Sequence, residues 1–173
     1  MKKVTVPLSV NGIQDLIREV GKYHSWLKAR SEVFLDRLAG AGLAVASAKF
    51  QQAVYDGTND VAVTVESRGN GTRAVVAIGA SVLFIEFGTG ITYPDDHPEA
   101  AANGMVRGSY GKGHGKQPVW GYYGEPGTNG VTKVKPNGKT VVLTKGNPAN
   151  KPMYDTVREL EQQILTIAKA VFV

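Results

Sequence analysis

Hydrophobic positions recur every three or four residues over the two ends of this chain, and every second residue over short stretches between them. The first end places Ile13, Leu16, Ile17, Val20, Leu27, Phe34, Leu35 and Leu38 on one helical face. Asn11-Gly12-Ile13-Gln14 opens it with capping-box spacing, an Asn oxygen for exposed amides and a Gln three residues on. The pattern predicts a helix over residues 12–39, roughly 40 Å long at ~1.5 Å per residue. That length exceeds what a small sheet covers, so part of it must project or pack on another subunit. Gly40-Ala41-Gly42 predicts a break. A second stripe, Leu43, Ala46, Phe50, Ala53 and Val54, follows and stops before Asp56-Gly57.

Val61, Val63 and Val65 alternate with Ala62, Thr64 and Glu66, which is strand periodicity. The turn residues Arg68-Gly69-Asn70-Gly71 separate them from a second alternation, Ala74, Val76 and Ile78, and predict an antiparallel hairpin. The short apolar run 80–87 reads as a helical turn under that hairpin. Val119–Tyr123 and Thr140–Thr144 have strand composition and pair as a second hairpin with a long Gly/Lys-rich connection. Met153, Val157, Leu160, Ile164, Ile167 and Val171 then define a closing helix. Asn150 suits its N-cap, Pro152 its first turn, and Asp155, Glu159 and Lys169 its dipole. The fold class is α+β. One domain over 1–173 has a small antiparallel sheet of about four strands, with a long N-terminal helix and a C-terminal helix packed on it. A Gly/Lys-rich loop region covers about 91–138.

Composition narrows the function. The 173 residues suffice for one domain with a core, and the absence of cysteine excludes disulfides, Cys-ligated zinc and thiol nucleophiles. No apolar run approaches the ~20 residues that span a bilayer. The opening Met1–Pro7 has no long apolar stretch behind its lysines and does not read as a secretion signal. The net charge of +5 is unevenly placed. Residues 103–151 hold Arg107 and seven lysines against Glu125 alone, a local +7, while both flanks are slightly acidic. Arg107, Lys112, Lys116, Lys133 and Lys135 are the candidate basic contacts for an acidic surface, nucleic acid or protein.

Candidate chemistry is sparse. Asp95-Asp96-His97-Pro98-Glu99 offers oxygen and imidazole ligands, but two prolines and no second cluster favour an acidic turn over a metal site. Gly111–Lys116 lacks the spacing and the Ser/Thr of a phosphate loop. His24 lies beside the apolar stripe of the first helix without an oriented partner. Trp120 and Tyr122 fall on one strand face and Tyr123 on the other, which is no three-ring base platform. Glu86, between Ile85 and Phe87, is expected to be a partly buried structural carboxylate with Arg73 as its partner. Nothing assembles nucleophile, base and oxyanion site, so the sequence points to no enzyme, no cofactor and no metal.

One stretch is more specific. Phe84-Ile85-Glu86-Phe87-Gly88-Thr89-Gly90 resembles a segment of the tail-completion or neck proteins of long-tailed bacteriophages, the minor tail protein Z type among them. Trp120–Tyr123, Thr144–Met153 and the two terminal helices extend the resemblance over roughly 10–170, least well at 91–138. The resemblance implies a structural virion protein, made in the host cytoplasm, that completes the tail end or joins tail to head. It implies a homo-oligomeric ring, most simply a hexamer, with tail and head-completion proteins as partners, nonspecific DNA contact left open and no membrane. Leu27, Phe34 and Glu86, Phe87, Gly88, Thr89 and Gly90 are then the candidate interface residues. The alternative is a nucleic-acid-binding protein using the basic 103–151 region.

Overall fold

A computed structural model describes residues 4–90, 93–109, 117–124, 126–127 and 130–173. Lys112 and Lys116 lie outside the described residues. The architecture is α+β, and its elements come in the order α1 (Val10–Gln51), β1 (Ala62–Ser67), β2 (Arg73–Ile78), α2 (Val82–Phe87), a 3-10 turn (Tyr93–Asp96), β3 (Trp120–Tyr122), β4 (Val131–Val134), β5 (Thr140–Thr144) and α3 (Pro152–Phe172). Among the described residues no helix is long and apolar enough to cross a membrane.

The expected break at Gly40–Gly42 is absent. α1 runs unbroken for 42 residues, about 63 Å at ~1.5 Å per residue. Gly42 is buried, and a Cβ there would lie 3.0 Å from Val75 Cγ2 and 3.1 Å from Leu160 Cδ1. Its glycine lets strand and helix approach α1 closely and does not punctuate it. Gly40 is exposed and meets nothing within 4 Å. The N-cap is Ser9, whose Oγ accepts from the Gly12 N–H, and Asn11 is already inside the helix.

α3 lies antiparallel along the second half of α1. At one end Lys49 bonds Glu159 at 2.8 Å. At the other, Phe172 packs tilted against Phe34 and edge-to-face on Trp26, with centroids 5.9 and 6.4 Å apart. Phe34 is therefore half-buried inside its own chain. The 16 residues from Val10 to Ser25, roughly 24 Å of helix, extend past the end of α3. They carry an apolar stripe open to solvent, with Ile17 67% and Val20 58% exposed.

The strands form two sheets, not one. β1 and β2 make the expected hairpin, in the register Val63↔Ala77 and Val65↔Val75. Arg73 ties it to α1 through Glu32 and Asp36, each at 2.7 Å, and so is not the partner of Glu86. The second sheet has the order β3-β5-β4. β3 pairs with β5 as expected, but the connection between them contains β4, which forms the tight hairpin with β5. α2 packs against α3 and the 3-10 turn in place of the first hairpin.

Asp60 joins that hairpin to α2. It accepts from the N–H groups of Ala80 and Ser81 at 2.8 and 2.9 Å and from the Ser81 hydroxyl. The Ser81 hydroxyl first, then the two amides, hold its carboxyl down from 3.8 to about 2. A depressed carboxylate stabilises the fold above its unfolded pKa and loses that contribution as pH falls through the folded one. Asp60→Asn should therefore melt below the parent at neutral pH, and calorimetry should find the gap closing between pH 3.8 and about 2. Gly40→Ala should raise stability by about 0.5–1 kcal/mol in urea titrations. Gly42→Leu should cost about 1–3 kcal/mol through overpacking.

Candidate functional site

Glu86 sits in the last turn of α2, 6% exposed. Its neighbours Ile85 and Phe87 are buried with it, so the carboxylate must find partners inside the protein. α3 supplies two. Its first residue follows Lys151 in the left-handed region (φ 58°), and no side chain of the helix caps it. Glu86 fills that role from a distance of 67 residues in sequence. Oε2 accepts from the Met153 N–H at 2.8 Å and Oε1 from the Tyr154 N–H at 3.0 Å. A carboxylate at this end also meets the positive pole of the helix.

His97 supplies the third bond, Nε2 to Glu86 Oε1 at 3.0 Å. Its Nδ1 accepts from the Glu99 N–H at 3.0 Å, which assigns the Nε2–H tautomer and makes the imidazole the donor to Glu86. The ring is 5% exposed and lies between Phe87 (centroid 4.4 Å) and Tyr154 (5.5 Å). The acidic segment 95–99 is thus divided. His97 turns inward, while Asp95 pairs outside with Arg107 at 2.7 Å. Among the described residues no group of three or more His, Asp or Glu is placed to hold a metal ion.

The residues after Glu86 continue the same junction against residues 145–151. Gly88 (φ 77°) and Gly90 (φ 96°) take backbone angles that side chains rarely adopt. A Cβ on Gly88 would sit 2.7 Å from the Asn147 carbonyl oxygen, and one on Gly90 2.7 Å from that of Lys145. Between them Thr89 donates its N–H to Asn147 O and accepts the Asn147 N–H on Oγ1, both at 2.8 Å. Asn150 N–H reaches Ile85 O at 2.9 Å.

The segment just after α1, Val54–Asp56, enters as a third part of this junction. Asn147, 1% exposed, accepts the Asp56 N–H on Oδ1 at 2.5 Å, and Thr144 donates its hydroxyl to Asp56 at 2.9 Å. Asn150 binds both the N–H and the carbonyl of Val54, at 2.8 and 3.0 Å. It ties α1 to α3 in this way and does not cap α3 as expected. Among the described residues no buried side-chain polar atom lacks a partner.

The predicted site residues therefore fall into three groups. Glu86, Phe87, Gly88, Thr89 and Gly90 share the junction with His97, Asp56, Asn147 and Asn150. Leu27, 40% exposed, belongs to the open face of α1, whereas Phe34 is engaged by Phe172. Of the described basic candidates, Arg107 is paired with Asp95, and Lys133 and Lys135 stand on or beside the exposed β4. Lys135 also lies over the Tyr123 ring, 5.4 Å from its centroid. His24 is exposed on α1. What the junction can do chemically is orient: it fixes α2, α3 and the end of α1 relative to one another. No family model, curated protein or solved structure matches this chain.

Removing the carboxylate strands two helix N–H groups and a histidine donor in a dry site. Glu86→Ala should cost about 3 kcal/mol in denaturant unfolding, with Glu86→Gln losing less because one acceptor oxygen survives. Gly88→Val should cost at least about 2 kcal/mol from its positive φ and the contact with Asn147. If Glu86→Ala unfolds like the parent, the junction is not what orients α3.

Proposed function

We propose that this chain is a structural protein of a long-tailed bacteriophage, built into the virion to complete the tail end or join tail to head. The observation that carries this reading is the pairing of its two most family-like segments. Phe84–Gly90 and Thr144–Met153 are far apart in sequence and bond to each other in the fold. That both segments belong to one physical unit supports the reading. That unit orients helices, which is the task of an assembly part. The projecting part of α1 supports self-association, because a stripe of Ile13, Leu16, Ile17 and Val20 open to water is costly unless another surface covers it. A homo-oligomeric ring is the arrangement that the resemblance implies, most simply a hexamer.

The alternative, nucleic-acid binding, has less to stand on. Apart from the paired Arg107, its described and exposed basic residues are Lys133, Lys135 and Lys139 of one hairpin and Lys145 just beyond β5, with no recognition helix among them.

Two measurements bear on the proposal. Native mass spectrometry should show an oligomer that Ile17→Asp or Val20→Asp converts to monomer with unchanged helix content. Leu27→Asp should act likewise, whereas Phe34→Asp should also lower stability through Phe172. Phage carrying an amber codon in this gene should fill heads with DNA and accumulate separate, defective tails under the electron microscope. Normal infectious particles, or a lysate of empty heads only, would refute the joining role.

A further inference from the structure

We infer that the segment Val4-Thr5-Val6-Pro7-Leu8 of one copy adds as a strand to the free edge of β1 in a second copy, making the contact between copies head-to-tail. The inference rests on the self-association proposed above and specifies how it is made.

The donor is a strand pattern without a strand. Val4, Val6 and Leu8 alternate with Thr5 and Pro7, yet residues 4–7 belong to no helix or sheet. Leu8 is 98% and Val4 44% exposed. Pro7 fits the role. In a strand whose Val4, Val6 and Leu8 amides face the acceptor, position 7 points the other way, and its missing N–H removes no bond.

The acceptor is an edge with little protection, its one charged residue, Glu66, being paired with Arg68. Among the described residues β1 has a strand on one side only. The bond from Arg68 N–H to Thr72 O sets the alternation of the hairpin ladder. It leaves Val63, Val65 and Ser67 with their amides toward the open edge. Natural edges are blunted by lysine or proline, as β4 is by Lys133 and the nearby Pro136, but Ala62–Ser67 contains neither. An open groove borders this edge, lined by Ser47 and Gln51 of α1 and by Val61, Ala62 and Val63. Apolar side chains of an added strand would enter there, on the side where Val63 is half-buried.

Geometry forbids the same chain from doing this to itself. The hairpin turn lies beside Leu35, where a Cβ on Gly71 would be 3.9 Å from its Cδ1. Val10 to Leu35 is 25 helical residues, about 38 Å. The chain from Ser9 back to Val4 reaches at most about 18 Å. The strand must therefore come from another molecule, and donor and acceptor are different surfaces. Such a heterologous contact closes into a ring or continues as a filament.

The absence of cysteine makes the test direct. Chains carrying Thr5→Cys and chains carrying Thr64→Cys are assembled together and treated with a short bismaleimide, as is each alone. The expected result is a covalent dimer in the mixture and in neither variant by itself. It should be lost when Val65→Pro is added to the Thr64→Cys chain, which blocks an outward amide while leaving the hairpin ladder intact. A dimer from Thr5→Cys alone would overturn the inference, since the segments would then meet each other. No cross-link in a protein that still assembles would also overturn it and leave the ring standing. No cross-link in a protein that stays monomeric at all concentrations would overturn both.

Discussion

A single carboxylate decides where the last helix begins. α3 starts after a residue in the left-handed region and brings no capping side chain of its own. Its first amides would be left without partners in a site where Pro152 and Thr156 are already buried. Glu86 accepts two of them and is itself held by His97. The direction of α3 follows, and with it the stretch of α1 that α3 covers, from Lys49 back to Trp26. How much of α1 remains bare is thus set at the opposite end of the molecule, by the charge that starts α3.

The two terminal helices were legible because their stripes are long and regular. Their details were not. A glycine that ends a helix and a glycine that lets a strand approach it look alike in sequence, so Gly42 reads as punctuation although its role is contact with Val75 and Leu160. Ser9 and Asn11 both suit an N-cap, and only the backbone chooses between them. β4 was missed because Val131-Thr132-Lys133-Val134 is short, exposed throughout and set among glycines and lysines.

The burial of Glu86 was visible from Ile85 and Phe87 on either side of it, but its partners were not. Two of them are backbone N–H groups, which every non-proline residue carries and no sequence pattern marks. The third, His97, stood among acids that suggested ligands and solvent. Asn147 and Asn150 carried turn and cap signals, and nothing local said that they would reach Asp56 and Val54. The functional reading came from resemblance alone. The structure adds physical sense to the stretch that carries it, because each residue from Glu86 to Gly90 has a contact that its chemistry explains.

The junction also sets an order of events. Apart from Glu86–His97, its bonds between segments join positions 58 to 96 residues apart, from Thr89–Asn147 to Val54–Asn150. Contacts so distant along the chain close late, because the loop entropy must be met before they form. During synthesis α1 is made well before α3, which must follow before it can cover any of α1. Until α3 folds back, the second half of α1 has only the β1–β2 hairpin of its own chain against it. The nascent chain therefore keeps that half of α1 partly bare until α3 docks, and residues 144–154, which make the junction, decide when that exposure ends.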